Sequence, residues 1–88
     1  MNILSAISAV VNGGANAVVF GCNGDGLVQI CESGGNGDIH IETDAIVTGW
    51  HLNAHGLYET DVSAPAAEVA AMVTGLGATA VQSVITDW

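Results

Sequence analysis

Asn-Gly dipeptides divide the first half of the chain into short apolar segments. They stand at positions 12–13, 23–24 and 36–37, so the intervals between them are 11 and 13 residues. Both residue types tolerate a positive φ, and the dipeptide is therefore a strong signal for the tight turn of a β-hairpin. Strand-forming residues fill the segments at 17–20, 27–31 and 39–42. This arrangement predicts an antiparallel meander of short strands.

The segment around His40 alternates in polarity. Apolar or β-branched residues occupy its odd positions: Ile39, Ile41 and Thr43. Polar and charged residues occupy its even positions: Asp38, His40, Glu42 and Asp44. Because successive side chains of a strand point to opposite faces, we predict a strand with one buried and one acidic face. A histidine among carboxylates should hold its proton more firmly than free imidazole, which means that its pKa is raised.

The hydrophobic phase changes after residue 44, since Ile46, Trp50 and Leu52 are even-numbered. A turn at residues 43–44 or a bulge near residue 45 would restore the pattern. We predict a further strand over residues 45–52 and a short strand over 57–62, separated by a loop at 53–56. A two-residue turn at Gly24-Asp25 would place Cys22 opposite Leu27 and Cys31 opposite Val18, which predicts free thiols.

Two segments have the features of helices. Residues 2–11 carry an apolar stripe at helical spacing, although their β-branched residues leave a strand as the alternative. The second helix is predicted over residues 66–74, with Ser63 as N-cap, Pro65 in the first turn, and Gly75 and Gly77 at its end. Residues 78–88 are expected to form a final strand, with a helical tail as the alternative.

These elements predict one small α+β domain over residues 1–88, an antiparallel meander packed with one or two short helices. A length of 88 residues suits a single domain. The start of the chain lacks the cationic region of a secretory signal, and no stretch reaches the roughly 18 apolar residues of a membrane span. We therefore expect a cytoplasmic protein.

Charge supplies the strongest indication of function. The chain has nine acidic residues, no lysine and no arginine, for a formal net charge of −9. Such a chain repels nucleic acid and anionic membranes, and it attracts basic protein surfaces and divalent cations. We predict a partner-binding surface that combines the acids between residues 32 and 61 with one aromatic anchor: Glu32, Asp38, Glu42, Asp44, Glu59, Asp61 and Trp50. Trp88 is an alternative anchor.

The leading hypothesis is a small acidic interaction module that occupies the nucleic-acid-binding surface of a basic partner. In composition it is similar to the acidic inhibitors that phages and mobile elements direct at host nucleases, including DNA mimics and anti-CRISPR proteins. The resemblance implies an inhibitor, phage-encoded and acting in the host cytoplasm. The high apolar content, 50% of residues, also favours a homodimer.

Two alternatives remain open. A self-assembling subunit of a filament, shell or coat would suit the turn-separated strands and the missing lysines. A divalent-cation-binding protein would suit the acids near the glycine-rich turns at 23–26 and 34–38, although neither turn matches a complete calcium motif. His51 and His55 have the spacing of helical metal ligands, but Gly49 and Gly56 make a helix improbable there.

No nucleophile motif, phosphate loop or lysine is present, and we expect no enzymatic activity, cofactor or metal.

Overall fold

The computed structural model describes residues 2–12, 17–22, 26–33 and 38–85. Two helices and six strands follow one another in these parts of the chain: α1 (Ile3–Val11), β1 (Ala17–Cys22), β2 (Gly26–Ser33), β3 (Asp38–Thr43), β4 (His51–Leu52), β5 (Tyr58–Val62), α2 (Ala66–Gly75) and β6 (Ala78–Ile85). The strands form one sheet in the order β4-β5-β3-β2-β1-β6, and every neighbouring pair is antiparallel. The predicted α+β class with an antiparallel sheet and two short helices is confirmed.

The sheet is a meander only through its first three strands. β1, β2 and β3 are neighbours in chain order, but β5 rather than β4 pairs with β3. β4 lies outside β5 as the short outer strand of a hairpin. After β5 the chain passes through α2 and returns as β6 on the far side of β1. β2 and β3 are therefore the middle of the sheet.

The core lies between the two helices and one face of the sheet. α1 begins at Asn2, whose side-chain Oδ1 accepts a hydrogen bond from the backbone N–H of Ser5 at 2.8 Å. An N-cap of this kind satisfies a backbone donor that the first helical turn leaves unpaired. The buried apolar cluster joins both helices to the inner residues of the sheet: Ala6, Ile7, Val10, Val28, Ile30, Ile39, Ile41, Val69, Val73 and Ala78.

The alternation predicted for β3 is confirmed. Ile39, Ile41 and Thr43 are at most 1% exposed, and the intervening side chains are partly exposed. A bend at residues 44–45 follows, as the phase change indicated. The face of β3 that packs against the helices is therefore dry, and its polar residues are confined to the opposite face. We call that opposite face of the sheet the open face.

The strand predicted over residues 45–52 is wrong for most of its length. Only His51 and Leu52 form a strand, while residues 44–50 form bends, a turn and irregular backbone. Because β4 lies beyond β5, the chain leaving β3 must bypass the position of β5 before it can pair. Gly49 has φ +90°, and Trp50 donates its backbone N–H to the carbonyl of Val47 at 3.2 Å. Ile46 in this loop is 81% exposed.

The hairpin between β1 and β2 differs from prediction by one residue. Cys22 pairs with Gly26, and Cys31 pairs with Ala17, so three residues rather than two connect the paired ends. The predicted pairs with Leu27 and Val18 are therefore wrong. Gly13 lies outside the described residues. So do residues 23–25 and 34–37, which contain the other two Asn-Gly dipeptides. The prediction of a free thiol is confirmed for Cys31.

The start of α2 also differs from prediction. The N-cap is Pro65 rather than Ser63, and it makes no side-chain capping hydrogen bond. Proline lacks a hydroxyl or carboxylate that could accept from the helix, so the first turn depends on backbone geometry. The helix ends with Leu76 as C-cap, followed by Gly77 at φ +91°. β6 ends at residue 85, and the rest of the predicted tail, with Trp88, lies outside the described residues.

In the part of the chain that the structure describes, neither helix has the length and hydropathy that crossing a bilayer requires.

Ile41 and Ile46 offer a matched test of the core. We expect Ile41→Val to lower the free energy of unfolding by about 0.5–1.5 kcal/mol, because the lost methylene leaves a gap in a filled core. Ile46→Val removes the same methylene from an exposed side chain and should change it by less than about 0.5 kcal/mol. Urea unfolding of both variants checks this, and equal losses would contradict the position of the core.

Candidate functional site: carboxylates around His40

Strand register gathers acids from β3 and β5 on the open face. His40 pairs with Asp61, and Glu42 pairs with Glu59. On the outer side of β5, His51 of β4 pairs with Glu59 as well. Directly paired residues of antiparallel strands share a face, and Cβ atoms in such pairs are about 4.5–5.5 Å apart. The pairing of β3 with β5, and not proximity in the sequence, therefore brings these residues together.

His40 lies at the centre of the cluster. Its Nδ1 is 2.7 Å from Oδ1 of Asp61, and its Nε2 is 2.9 Å from Oε1 of Glu42. The same Nε2 is 3.2 Å from Oε2 of Glu59. Both ring nitrogens thus face carboxylate oxygens. A neutral imidazole has only one N–H, so only the protonated ring can donate toward all of these acceptors.

The protonation of His40 follows from this geometry. Burial by itself lowers the pKa of His40, since it penalises the charged ring. Hydrogen bonds to Asp61 and Glu42, and the negative charge of both, outweigh that penalty and raise the pKa above its ordinary value. The prediction of a more firmly held proton is confirmed. In the described residues His40 is the cation that partly compensates three carboxylates.

Asn53 is a member of the site that sequence reasoning missed. Its Nδ2 donates to Oε2 of Glu42 and to Oε2 of Glu59, both at 3.2 Å. Its Oδ1 accepts the backbone N–H groups of His55 and Leu57 at 2.9 and 3.1 Å, which fixes the side-chain orientation. The available signal was an Asn at the start of a four-residue loop, where Asn side chains commonly bond to the backbone two residues ahead. One amide thereby holds two carboxylates close together.

An open cavity adjoins the cluster on the β4 side. Its volume is about 290 Å³, and its walls come from β3, β5, β4 and the loop before β4: His40, Gly49, His51, Glu59, Thr60 and Asp61. His51 is exposed and belongs to this wall, whereas His55 is an exposed residue of the turn at 54–55. The two histidines are not on a helix, as predicted from the neighbouring glycines.

The predicted partner-binding residues occupy several different positions. Glu42, Glu59 and Asp61 meet at His40. Asp38 shares their face at the start of β3, where it pairs with Ser33. Asp44 is exposed in the bend that follows β3.

Glu32 and Trp50 differ from the other predicted residues. Glu32 pairs with Ile39 and not with one of the polar, even-numbered residues of β3. Its side chain lies outside the described part of the chain. Trp50 is partly buried and packs against the core cluster, so part of its surface is already used within the fold. The cluster accordingly brings together three of the six predicted acids.

Cys31 lies next to the cluster without forming a catalytic pair. It is opposite His40 in the register of β2 with β3. Partial burial raises the pKa of the Cys31 thiol, and the charges of Glu42 and Asp61 raise it further. A reactive cysteine needs the opposite, an electropositive setting that favours the thiolate. The carboxylates, rather than the thiol, engage the ring nitrogens of His40.

The cluster contains one set of potential metal ligands. His40, Glu42 and Glu59 each offer one ligand atom, and these atoms lie within 4.8 Å of one another. The set mixes an imidazole nitrogen with carboxylate oxygens.

Comparisons of the chain with protein-family models, with curated proteins and with solved structures gave no match.

The charge on His40 should make stability depend on pH. Because its pKa is higher in the folded protein, the stabilisation is complete below the unfolded pKa of about 6.5 and is lost as the pH rises through the folded pKa. The groups that face His40 are Glu42 on its own strand, Asp61 and Glu59 on β5, and Cys31 on β2.

Urea unfolding between mildly acidic and mildly alkaline pH measures this contribution. The difference in unfolding free energy between wild type and His40→Gln should shrink as the pH rises. His55→Gln removes an exposed histidine outside the cluster and should keep the wild-type pH profile. A constant difference between wild type and His40→Gln across this range would contradict a charged His40.

Proposed function

We propose that this protein binds a basic surface of another protein through the open face of its sheet. The target class is a surface rich in lysine and arginine that otherwise binds nucleic acid, so the protein would act as an inhibitor by occupancy. The observation that carries the proposal is the gathering of the acids of β3 and β5 on the face opposite the helices. Four acids share that face: Asp38, Glu42, Glu59 and Asp61.

The concentration of acids on one face of the sheet supports docking over a surface that is acidic only because it faces solvent. The helical side of the sheet is occupied by the core, and the acid on α2, Glu68, belongs to a different part of the surface. The open face has strands about 4.8 Å apart, with same-face residues about 6.7 Å apart along each strand. Carboxylates at such spacings form a compact anionic patch, comparable in kind to the closely spaced phosphates of a duplex.

The missing basic residues keep this patch negative. Ordinary protein surfaces mix both signs, and lysine or arginine neighbours would neutralise the acids. Here the sequence has none, and the charge of His40 offsets only one of the three carboxylates that contact it. The patch would therefore steer a basic partner toward the open face, and salt would weaken that attraction.

An apolar contact would complete the interface. Trp50, the predicted anchor, is partly packed in the core, which leaves less of it for a partner. Ile46, in the loop between β3 and β4, is 81% exposed. Leu52 is also exposed, but it pairs with Tyr58, which pairs with Thr43, so Leu52 lies on the face opposite the acids. A central apolar contact surrounded by charged residues is the usual arrangement of a protein interface. We propose Ile46 as the apolar contact of this interface.

Matched glutamine variants test the docking face. A partner captured from a lysate at low salt is purified and its affinity is measured for wild type, Glu59→Gln and Glu68→Gln, with a chelator present. Glu59→Gln should weaken binding by about 1.5- to 5-fold at low salt, the range of exposed charge pairs, and by less at moderate salt. Glu68→Gln, which removes the same charge from α2, should match wild type.

Two further measurements sharpen the result. Asp38→Asn neutralises an acid of the open face that has no contact with His40 among those described, and it should weaken docking as Glu59→Gln does. Nucleic acid added to the complex should displace the protein if both occupy one surface. Equal effects of Glu59→Gln and Glu68→Gln, or losses that do not change with salt, would contradict docking through the open face.

Self-assembly is the second candidate, and the β6 edge is the observation that favours it. β6 forms one edge of the sheet, and its eight residues include no charge and no proline, which leaves the edge without common protection against strand addition. Its register against β1 nevertheless shifts at two places, between Val19 and Phe20 and between Gly21 and Cys22. Such irregularities twist an edge and hinder further pairing. We therefore place docking ahead of self-assembly.

Sedimentation at rising protein concentration separates these candidates. A docking protein should remain a discrete species, and we expect a homodimer in view of the apolar composition. A filament or shell subunit would instead grow without a fixed size as concentration rises. Open-ended growth would contradict the docking function as the main role.

A further inference from the structure

We propose that Nε2 of His40, Oε1 of Glu42 and Oε2 of Glu59 bind one divalent transition-metal ion on the open face. The inference goes beyond docking and does not depend on it. It rests on the position of three ligand atoms, on the groups that hold them in place, and on the cavity beside them.

The ligand atoms have the separations of a coordination shell. Nε2 of His40 is 2.9 Å from Oε1 of Glu42 and 3.2 Å from Oε2 of Glu59. Nitrogen and oxygen ligands lie about 2.0–2.2 Å from zinc, so neighbouring ligand atoms of one ion are roughly 2.8–3.6 Å apart. Both distances fall in that range. The three atoms are close enough to share one ion without rearrangement of the backbone, since their strands are paired.

Asp61 and Asn53 supply the outer contacts that metal-binding side chains need. Metal-bound histidines almost always donate their second ring N–H to a carboxylate or carbonyl group. Oδ1 of Asp61 accepts from Nδ1 of His40 at 2.7 Å, which directs the Nε2 lone pair of the neutral ring toward the two glutamates. Asn53 donates to Oε2 of Glu42, the oxygen that is not a ligand, and to Oε2 of Glu59, the ligand oxygen itself. These contacts hold all three ligands in place.

The cavity leaves room for further ligands. It borders His40 and Glu59 and is also lined by His51, which pairs with Glu59 in the sheet. Water or His51 would complete a four-coordinate shell there. Calcium and magnesium prefer all-oxygen shells, whereas an imidazole combined with carboxylates suits zinc and its first-row neighbours. The proposed ligand class is therefore a transition ion rather than an alkaline-earth ion.

The site is compatible with docking because the open face stays negatively charged when an ion is bound. A divalent ion takes the place of the single positive charge on His40, so the three carboxylates still exceed the positive charge by one. Asp38 is outside the ligand set and remains available to a partner. Metal binding and docking can therefore be measured separately.

Titration of the untagged full chain with Zn²⁺ and Co²⁺ after chelator treatment tests the site. We expect one ion per chain, and Co²⁺ should give the visible absorption of nitrogen and oxygen ligands. His40→Gln and Glu59→Gln should each lower Zn²⁺ affinity by at least about tenfold. The controls His55→Gln and Glu68→Gln lose the same groups elsewhere and should stay within about twofold of wild type.

Outer-contact variants distinguish a built site from surface attraction. Asp61→Asn and Asn53→Ala keep every ligand, yet they should lower Zn²⁺ affinity by about 10- to 100-fold. Cys31→Ser should bind normally, which excludes coordination by that thiol. Unfolding curves show that each variant is folded, and His40→Asn provides a second substitution if His40→Gln is unstable.

Three results would overturn the proposal. They are unchanged Zn²⁺ affinity in His40→Gln, equal losses in His55→Gln, and tighter binding of Ca²⁺ than of Zn²⁺. Asp38→Asn separates the two functions, because it should weaken docking and leave Zn²⁺ affinity unchanged. Failure of the metal titration thus leaves the docking result standing, and the reverse also holds.

Discussion

The pairing register of β3 with β5 determines what the open face can do. It places Asp61 opposite His40 and Glu59 opposite Glu42, so acids about twenty residues apart in the chain surround one imidazole. A shift of one residue would turn the side chains of one strand to the other face of the sheet. The buried isoleucines of β3 oppose such a shift, because it would expose them while burying charge. Burial of apolar side chains on one face of the sheet thereby fixes the positions of the charged side chains on the other face.

Because the chain has no lysine and no arginine, the carboxylates around His40 stay largely uncompensated. In an ordinary protein, basic neighbours would pair with Glu42, Glu59 and Asp61 and neutralise them. Here His40 is their cationic partner among the described residues, and its charge is smaller than theirs. The cluster remains attractive to positive charge from outside, whether that charge is a basic protein surface or a metal ion. The docking and metal proposals are two consequences of one uncompensated field.

Prediction succeeded where the signal was local and periodic. The apolar stripe of α1, the helix at α2 and the alternation of β3 each reflect residues within one element. It failed where an element depended on distant partners. Residues 44–50 have strand-like residues, but β5 occupies the place next to β3, so most of that segment has no ladder to join. Ser63 is a favourable cap, yet the helix begins after Pro65.

The sequence by itself determined the α+β class, the acidic face of β3 and the negative charge of the whole chain, and it predicted the direction in which the pKa of His40 is shifted. Only the tertiary structure decided that β5 is the neighbour of β3, that Asn53 joins two glutamates, and that Trp50 packs partly in the core. The physical reason is that polarity patterns fix which face of a strand is wet. The identity of the neighbouring strand depends instead on how the whole chain buries its apolar surface.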